Sequence, residues 1–153
     1  MRTGIIELQL KEMQEYLPVM DRKNLNVSAV TVGWHISHSL KVLRKVFQLL
    51  EDSDPEDYKK QFSFLRHYIF LFRRIPRGKA KAPSAVLPDK DLQASVLEIE
   101  IGELRDQLPQ LKELPKKAFY RHHMFGDLDR DQTIRFLQIH TEHHLKIIRD
   151  ILK

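Results

Sequence analysis

The sequence predicts an all-α protein, a four-helix bundle with one additional helix and a long loop around residues 75–88. Three observations predict it. Glycine and proline are few, 5 and 7 in 153 residues, so long segments run without a breaker. Strand-like alternation of Val, Ile and Thr is scarce. Apolar residues instead recur at spacings of three and four through several stretches, the period of a helix with one buried face.

The first helix is expected over 5–17, with Ile5, Leu8 and Met13 among its apolar positions and Pro18 at its end. The second is expected over 31–51. Asn26 and Ser28 offer N-caps ahead of it, and His35, His38, Val42, Val46 and Leu49 share one face. The third is expected over 55–74, introduced by Ser53-Asp54-Pro55-Glu56, a cap followed by an early proline. It carries Tyr58, Phe62, Phe64, Tyr68, Phe70 and Phe72. Residues 75–88 hold three prolines and a glycine and keep no helical period, as in a lid or binding loop. The fourth helix is expected over 89–114, with Val96, Ile99, Leu104 and Leu108 in its apolar set and Pro109 kinking or shortening it. A second loop covers 115–129. The last helix is expected over 129–152, where Leu137, His140, His144, Ile147 and Ile151 keep a strict +3, +4 spacing. The first, second, fourth and fifth are long enough to form the bundle, and the third packs outside it. There is no internal repeat, so 1–153 reads as a single domain.

Composition narrows the function classes. Hydrophobic residues at 42% and charged residues at 31% are ordinary for a soluble globular chain. The densest apolar run, Tyr68-Ile69-Phe70-Leu71-Phe72, ends at Arg73, far short of a membrane span. The first residues turn charged and amphipathic at once, unlike a secretory signal, and the cytoplasm is the expected compartment. Cysteine is absent, which excludes disulfides, a thiolate zinc site and a cysteine nucleophile. The net charge of +5 is spread out, with local density at Arg73, Arg74, Arg77, Lys79 and Lys81. That loop suits a small anion, although solvated surface charge explains it equally well. No helix-turn-helix, zinc-finger or stacking signature accompanies it, so neither nucleic acid nor membrane is an expected partner.

The chemistry lies in the histidines. His140 and His144 stand one helical turn apart, so their rings stack on one face and can share one ion. They also interrupt an apolar stripe, where a buried imidazole needs a hydrogen-bond partner or a metal. His38 lies on the inward face of the second helix and supplies a third ligand from a facing element. His35 is a rival for that role, lying nearer the centre of the same face. His143 points off the common stripe, either behind the ligand histidines or to the surface. The bland alternative is a set of hydrogen-bonded core histidines.

The segment Val32-Gly33-Trp34-His35-Ile36-Ser37-His38-Ser39-Leu40 resembles the second-helix motif of the DinB/YfiT-like superfamily. Phe125-Gly126-Asp127-Leu128 followed by His140-Thr141-Glu142-His143-His144-Leu145 resembles its terminal motif. The loop Ile75-Pro76-Arg77-Gly78-Lys79-Ala80-Lys81-Ala82-Pro83 is similar to one uncharacterised branch of it. The resemblance implies a four-helix bundle, a homodimer, and a three-histidine site for zinc, nickel or a similar ion. Carried over, the ligands are His38, His140 and His144, which favours His38 over His35. Relatives often carry His-Pro-x-Phe-Gly before the last helix. Here the stretch reads His123-Met124-Phe125-Gly126, without that proline, which loosens the link between His123 and the metal.

Three neutral imidazoles leave the ion's charge uncompensated and favour an anionic fourth partner. The expected function is therefore a metal-dependent transferase, of the thiol S-transferase kind that the resemblance implies, or a hydrolase. Its substrate would be a small anionic molecule, and a thiol would have to come from a low-molecular-weight co-substrate. Trp34, His35, Arg77, Lys79, Lys81 and His123 are the candidate substrate-binding residues, with Tyr120 a weaker proton donor. No catalytic residue is singled out. The alternative is a non-enzymatic binding or dimerisation module whose metal is structural or absent.

Overall fold

The computed structural model describes residues 3–78 and 81–153. The described chain is mostly helical with a small two-stranded sheet, so it is mixed where a purely helical fold was expected. In order it runs α1 (Thr3–Glu15), α2 (Val32–Glu51), α3 (Phe64–Phe72), α4 (Ala94–Gln107), α5 (Gln110–Glu113), β1 (Phe119–His122), β2 (Gly126–Asp129) and α6 (Arg130–Ile151). Short 3-10 turns fall at Leu17–Val19, Pro55–Asp57 and Ser84–Val86. No described helix is long and apolar enough to cross a membrane.

α1 and α2 each pack on both α4 and α6. The core between them is made of Ile6, Leu10 and Met13 of α1, Ile36, Leu40, Leu43, Val46 and Phe47 of α2, Leu97, Ile101 and Leu104 of α4, and Leu137, Leu145 and Ile148 of α6. Each such side chain taken wholly out of water contributes about 1.5–3 kcal/mol. The α6 stripe lies where the spacing put it. The α4 stripe is shifted: Val96 and Ile99 are exposed, and Leu97, Ile101, Leu104 and Leu108 face inward. Leu8 and Leu49 are exposed as well.

α2 does not begin at Asn26 or Ser28. Its N-cap is Thr31, whose hydroxyl accepts from the Trp34 N–H at 3.2 Å. The preceding turn is tied down by the Val32 N–H to Arg22 carbonyl bond and the Gly33 N–H to Met20 carbonyl bond at 2.8 Å. A Cβ at Gly33 would press on Met20 at 3.1 Å, so glycine lets the two segments meet.

The expected helix over 55–74 is broken: a 3-10 turn at Pro55–Asp57 and α3 lie at its two ends, with irregular backbone between them. Only α3 is α-helical there, because tertiary hydrogen bonds claim the backbone before it. The Lys59 N–H donates to the buried Asp127 carboxylate, and Arg66 donates to the Gln61 and Phe125 carbonyls. Ser63 then caps α3 by accepting from the Arg66 N–H. Arg73 ends it in the left-handed conformation at φ 49°. α3 buries Arg66 and Ile69 and leaves Phe64, Tyr68, Leu71 and Phe72 to solvent, with Phe64 82% exposed.

Pro109 interrupts the fourth helix, as expected, and α5 is the remnant beyond it. The expected loop at 115–129 is instead an antiparallel hairpin pairing Phe119 with Asp129 through to His122 with Gly126. Gly126 has φ 73°, and a Cβ there would run into the Gln61 side chain. Asp129 closes the hairpin and opens α6 with a capping box: its carboxylate accepts from the Gln132 N–H while the Gln132 amide oxygen accepts from the Asp129 N–H.

Candidate metal centre

α2 and α6 lie against each other and bring together histidines far apart in the sequence. His38, His140 and His144 each present one ligand nitrogen, and these atoms all lie within 4.8 Å of one another. Their ring centroids are 4.7–5.3 Å apart. His38 and His144 are buried and His140 is half-buried. The cluster can hold a metal ion.

The protonation of each ring follows from its surroundings. Burial, reinforced by the neighbouring imidazoles, pushes His140 down to about 3 and His144 well below its ordinary value. Burial also lowers His38, against the opposing effect of its hydrogen bond to Val86. The rings are therefore neutral near pH 7, the state a metal ligand requires.

Two details fit an ion. The His38 Nδ1–H donates to the Val86 carbonyl at 2.9 Å, which leaves its Nε2 lone pair free to coordinate. The His140 Nδ1 is buried without a hydrogen-bond partner, a cost that a protein core seldom carries for nothing.

His35 is also buried but stands outside the three-ligand group. Its Nδ1 lies 2.9 Å from the His144 Nδ1, and its Nε2 lies 3.0 Å from the Ser28 hydroxyl. Burial, with the charge of His38, pushes His35 down to about 4. Trp34 stacks on His38 at 5.1 Å and 18°, forming one wall of the cluster. His143 is half-buried and hydrogen-bonds the Ile75 backbone. That bond and the Val86 contact bring the two ends of the irregular segment after α3 onto the site.

The other candidate substrate residues are dispersed. Arg77 pairs with Asp150 at 2.7 Å, yet its charge still weighs on His35 and His143. Lys81 is exposed, and Lys79 lies outside the described residues. His123 is exposed and stacks on His122 at 4.6 Å. Tyr120 packs against Phe136, with burial raising its phenol pKa.

Sequence reasoning missed His122. It is buried, stacked 4.1 Å from Phe125, and its Nδ1 accepts from the Met124 and Phe125 N–H groups. It holds the hairpin tip and, through Phe136, backs His140. Its place in a hairpin strand was the signal, legible only once the hairpin is seen. A cleft of about 650 Å³ opens elsewhere, between α3 and the start of α6, lined by Arg66, Phe70, Leu71, Asp131 and Arg135 but by none of the clustered histidines.

Among known proteins, the family described as "Protein of unknown function (DUF1569)" matches residues 65–150, a span that includes His140 and His144. No curated protein and no solved structure matches the chain.

Proposed function

We propose, for a chain that belongs to the DUF1569 family, that His38, His140 and His144 hold a divalent metal ion in a transferase or hydrolase acting on a small anionic molecule. The observation that carries this is the convergence of three neutral ligand nitrogens within 4.8 Å, none of them from a carboxylate. Bound there, the ion would supply Lewis acidity, which lowers the pKa of a water or a thiol at an open position.

The chain's own residues then do the following. Val86 fixes the rotation of His38. Trp34 walls the cluster and keeps bulk water off one side. Arg77 places positive charge toward His35 and His143, the side that favours an anionic substrate. With no cysteine in the chain, any thiol nucleophile must arrive with a co-substrate. Imidazole suits zinc, nickel, iron and copper, and the resemblance to the DinB/YfiT-like superfamily favours zinc or nickel. The same resemblance supports reading α1, α2, α4 and α6 as its four-helix bundle, in a cytoplasmic homodimer.

The test is metal analysis of protein purified without a histidine tag, beside His144→Ala. The wild type should carry close to one ion per chain and the variant almost none. Equal, near-zero metal in both would overturn the reading.

A second reading, a binding or dimerisation module with a structural ion, is favoured by the exposed aromatic face of α3. Chelation separates the two. Loss of a structural ion lowers the melting temperature sharply, whereas loss of a catalytic one abolishes turnover in a protein that stays folded.

A further inference from the structure

We infer that His35, held by Ser28, is a positioning residue that sets which nitrogen of His144 is free to bind the ion. The inference rests on the metal reading above.

Two imidazole nitrogens facing each other at 2.9 Å share a single proton, so one donates and the other accepts. The chain Ser28–His35–His144 therefore has two settings. In the first, the Ser28 O–H donates to His35 Nε2, and the His35 Nδ1–H donates to His144 Nδ1. The proton of neutral His144 then sits on Nε2 and closes that nitrogen to a cation. In the second, the His144 Nδ1–H donates to His35 Nδ1, the His35 Nε2–H donates to the Ser28 oxygen, and the Ser28 hydrogen turns away. Each ring keeps one proton in both settings, but only the second leaves the His144 Nε2 lone pair free.

The Ser28 oxygen already accepts from the Val30 N–H at 3.3 Å. It has a second lone pair for His35, so the second setting is fully satisfied. His38 needs no such relay, because a carbonyl can only accept and Val86 leaves that ring one setting. His144 is the ligand whose tautomer a neighbouring side chain sets, and His35 is that side chain. A hydrogen bond to the distal nitrogen of a ligand histidine also fixes its rotation and raises its basicity.

The experiment measures Co²⁺ and Zn²⁺ affinity by chelator competition, with the visible Co²⁺ spectrum, for wild type, Ser28→Ala, His35→Leu and His35→Asn. In His35→Asn the new carboxamide oxygen stands near the native Nδ1 and can accept from His144, whereas the alkyl side chain of His35→Leu cannot. His35→Leu should weaken binding about 10–100-fold and shift the Co²⁺ bands. Ser28→Ala should weaken binding less, and His35→Asn should recover most of the loss. In Zn²⁺-loaded ¹⁵N-labelled protein, His144 Nδ1 should resonate as a protonated nitrogen and move in His35→Leu, a signature that packing alone would not give. Unchanged affinity and spectrum in a folded His35→Leu, or His35→Asn as weak as His35→Leu, would overturn the inference while leaving the metal reading intact. A wild type that takes up neither ion would overturn both.

Discussion

Acidifying the metal-free protein from about pH 7.5 to about pH 5 should cost it stability through histidines buried in their neutral form. His122 gives the clearest case. Burial, followed by the charge of His123, pushes it from an ordinary 6.5 down to about 4. The unfolded chain therefore binds a proton over a range in which the folded chain refuses it. Stability is fully present above about 6.5 and drains away as the pH falls toward 4. At pH 5 the difference amounts to about 2 kcal/mol, within a full shift of about 3 kcal/mol. His35, down to about 4, and His140, down to about 3, push the same way. The carboxylates lowered by ion pairs, Glu12, Asp127 and Asp150, start from ordinary values near 4 and add their loss only below this window. The assay is urea unfolding followed by circular dichroism in the presence of EDTA at a series of pH values. For His122 alone the midpoint should fall by about 1 M urea between the ends of the range. A midpoint that stays flat down to pH 5, or a folded-state NMR titration of His122 centred near 6.5, would refute the reasoning.

Three further outcomes test the scaffold. Leu43→Ala empties a fully buried position between α2 and its neighbours and should cost about 2–5 kcal/mol by denaturant unfolding. Asp127→Ala removes the acceptor for the Lys59 N–H and Arg121, so the melting temperature should drop by the equivalent of about 1–3 kcal/mol. Arg73→Gly relieves a side-chain-bearing residue held at φ 49° and should stabilise the protein by about 0.5–1 kcal/mol, read as a raised urea midpoint.

Much of the helical frame was legible because its signals are local. The +3, +4 stripe of α6 and its approach to α2 follow from the apolar and histidine spacing, and Pro109 broke its helix where a missing N–H must break one. What escaped was decided at long range. No local pattern tells that Asp127 will capture the Lys59 N–H and hold 58–63 out of a helix. The hairpin was hidden because its strands are only four residues each and two adjacent histidines stand at its turn. On α4 both Val96 and Leu97 begin a helical series, and only packing chose Leu97. At the site, His140 and His144 announced themselves by spacing, while His35 and His38 on one face left their division of labour open. Ser28 looked like a cap because serine caps helices, but the hydroxyl was engaged elsewhere.

The tie between His35 and His144 joins positions 109 apart in the chain. A pocket stitched from segments so far apart forms only once the long intervening loop has closed. Cation capture would then be a terminal event of maturation, unlike a zinc finger, where the ion is needed for the fold to form. Uptake should not run ahead of refolding, so its rate would report when these distant segments have come together.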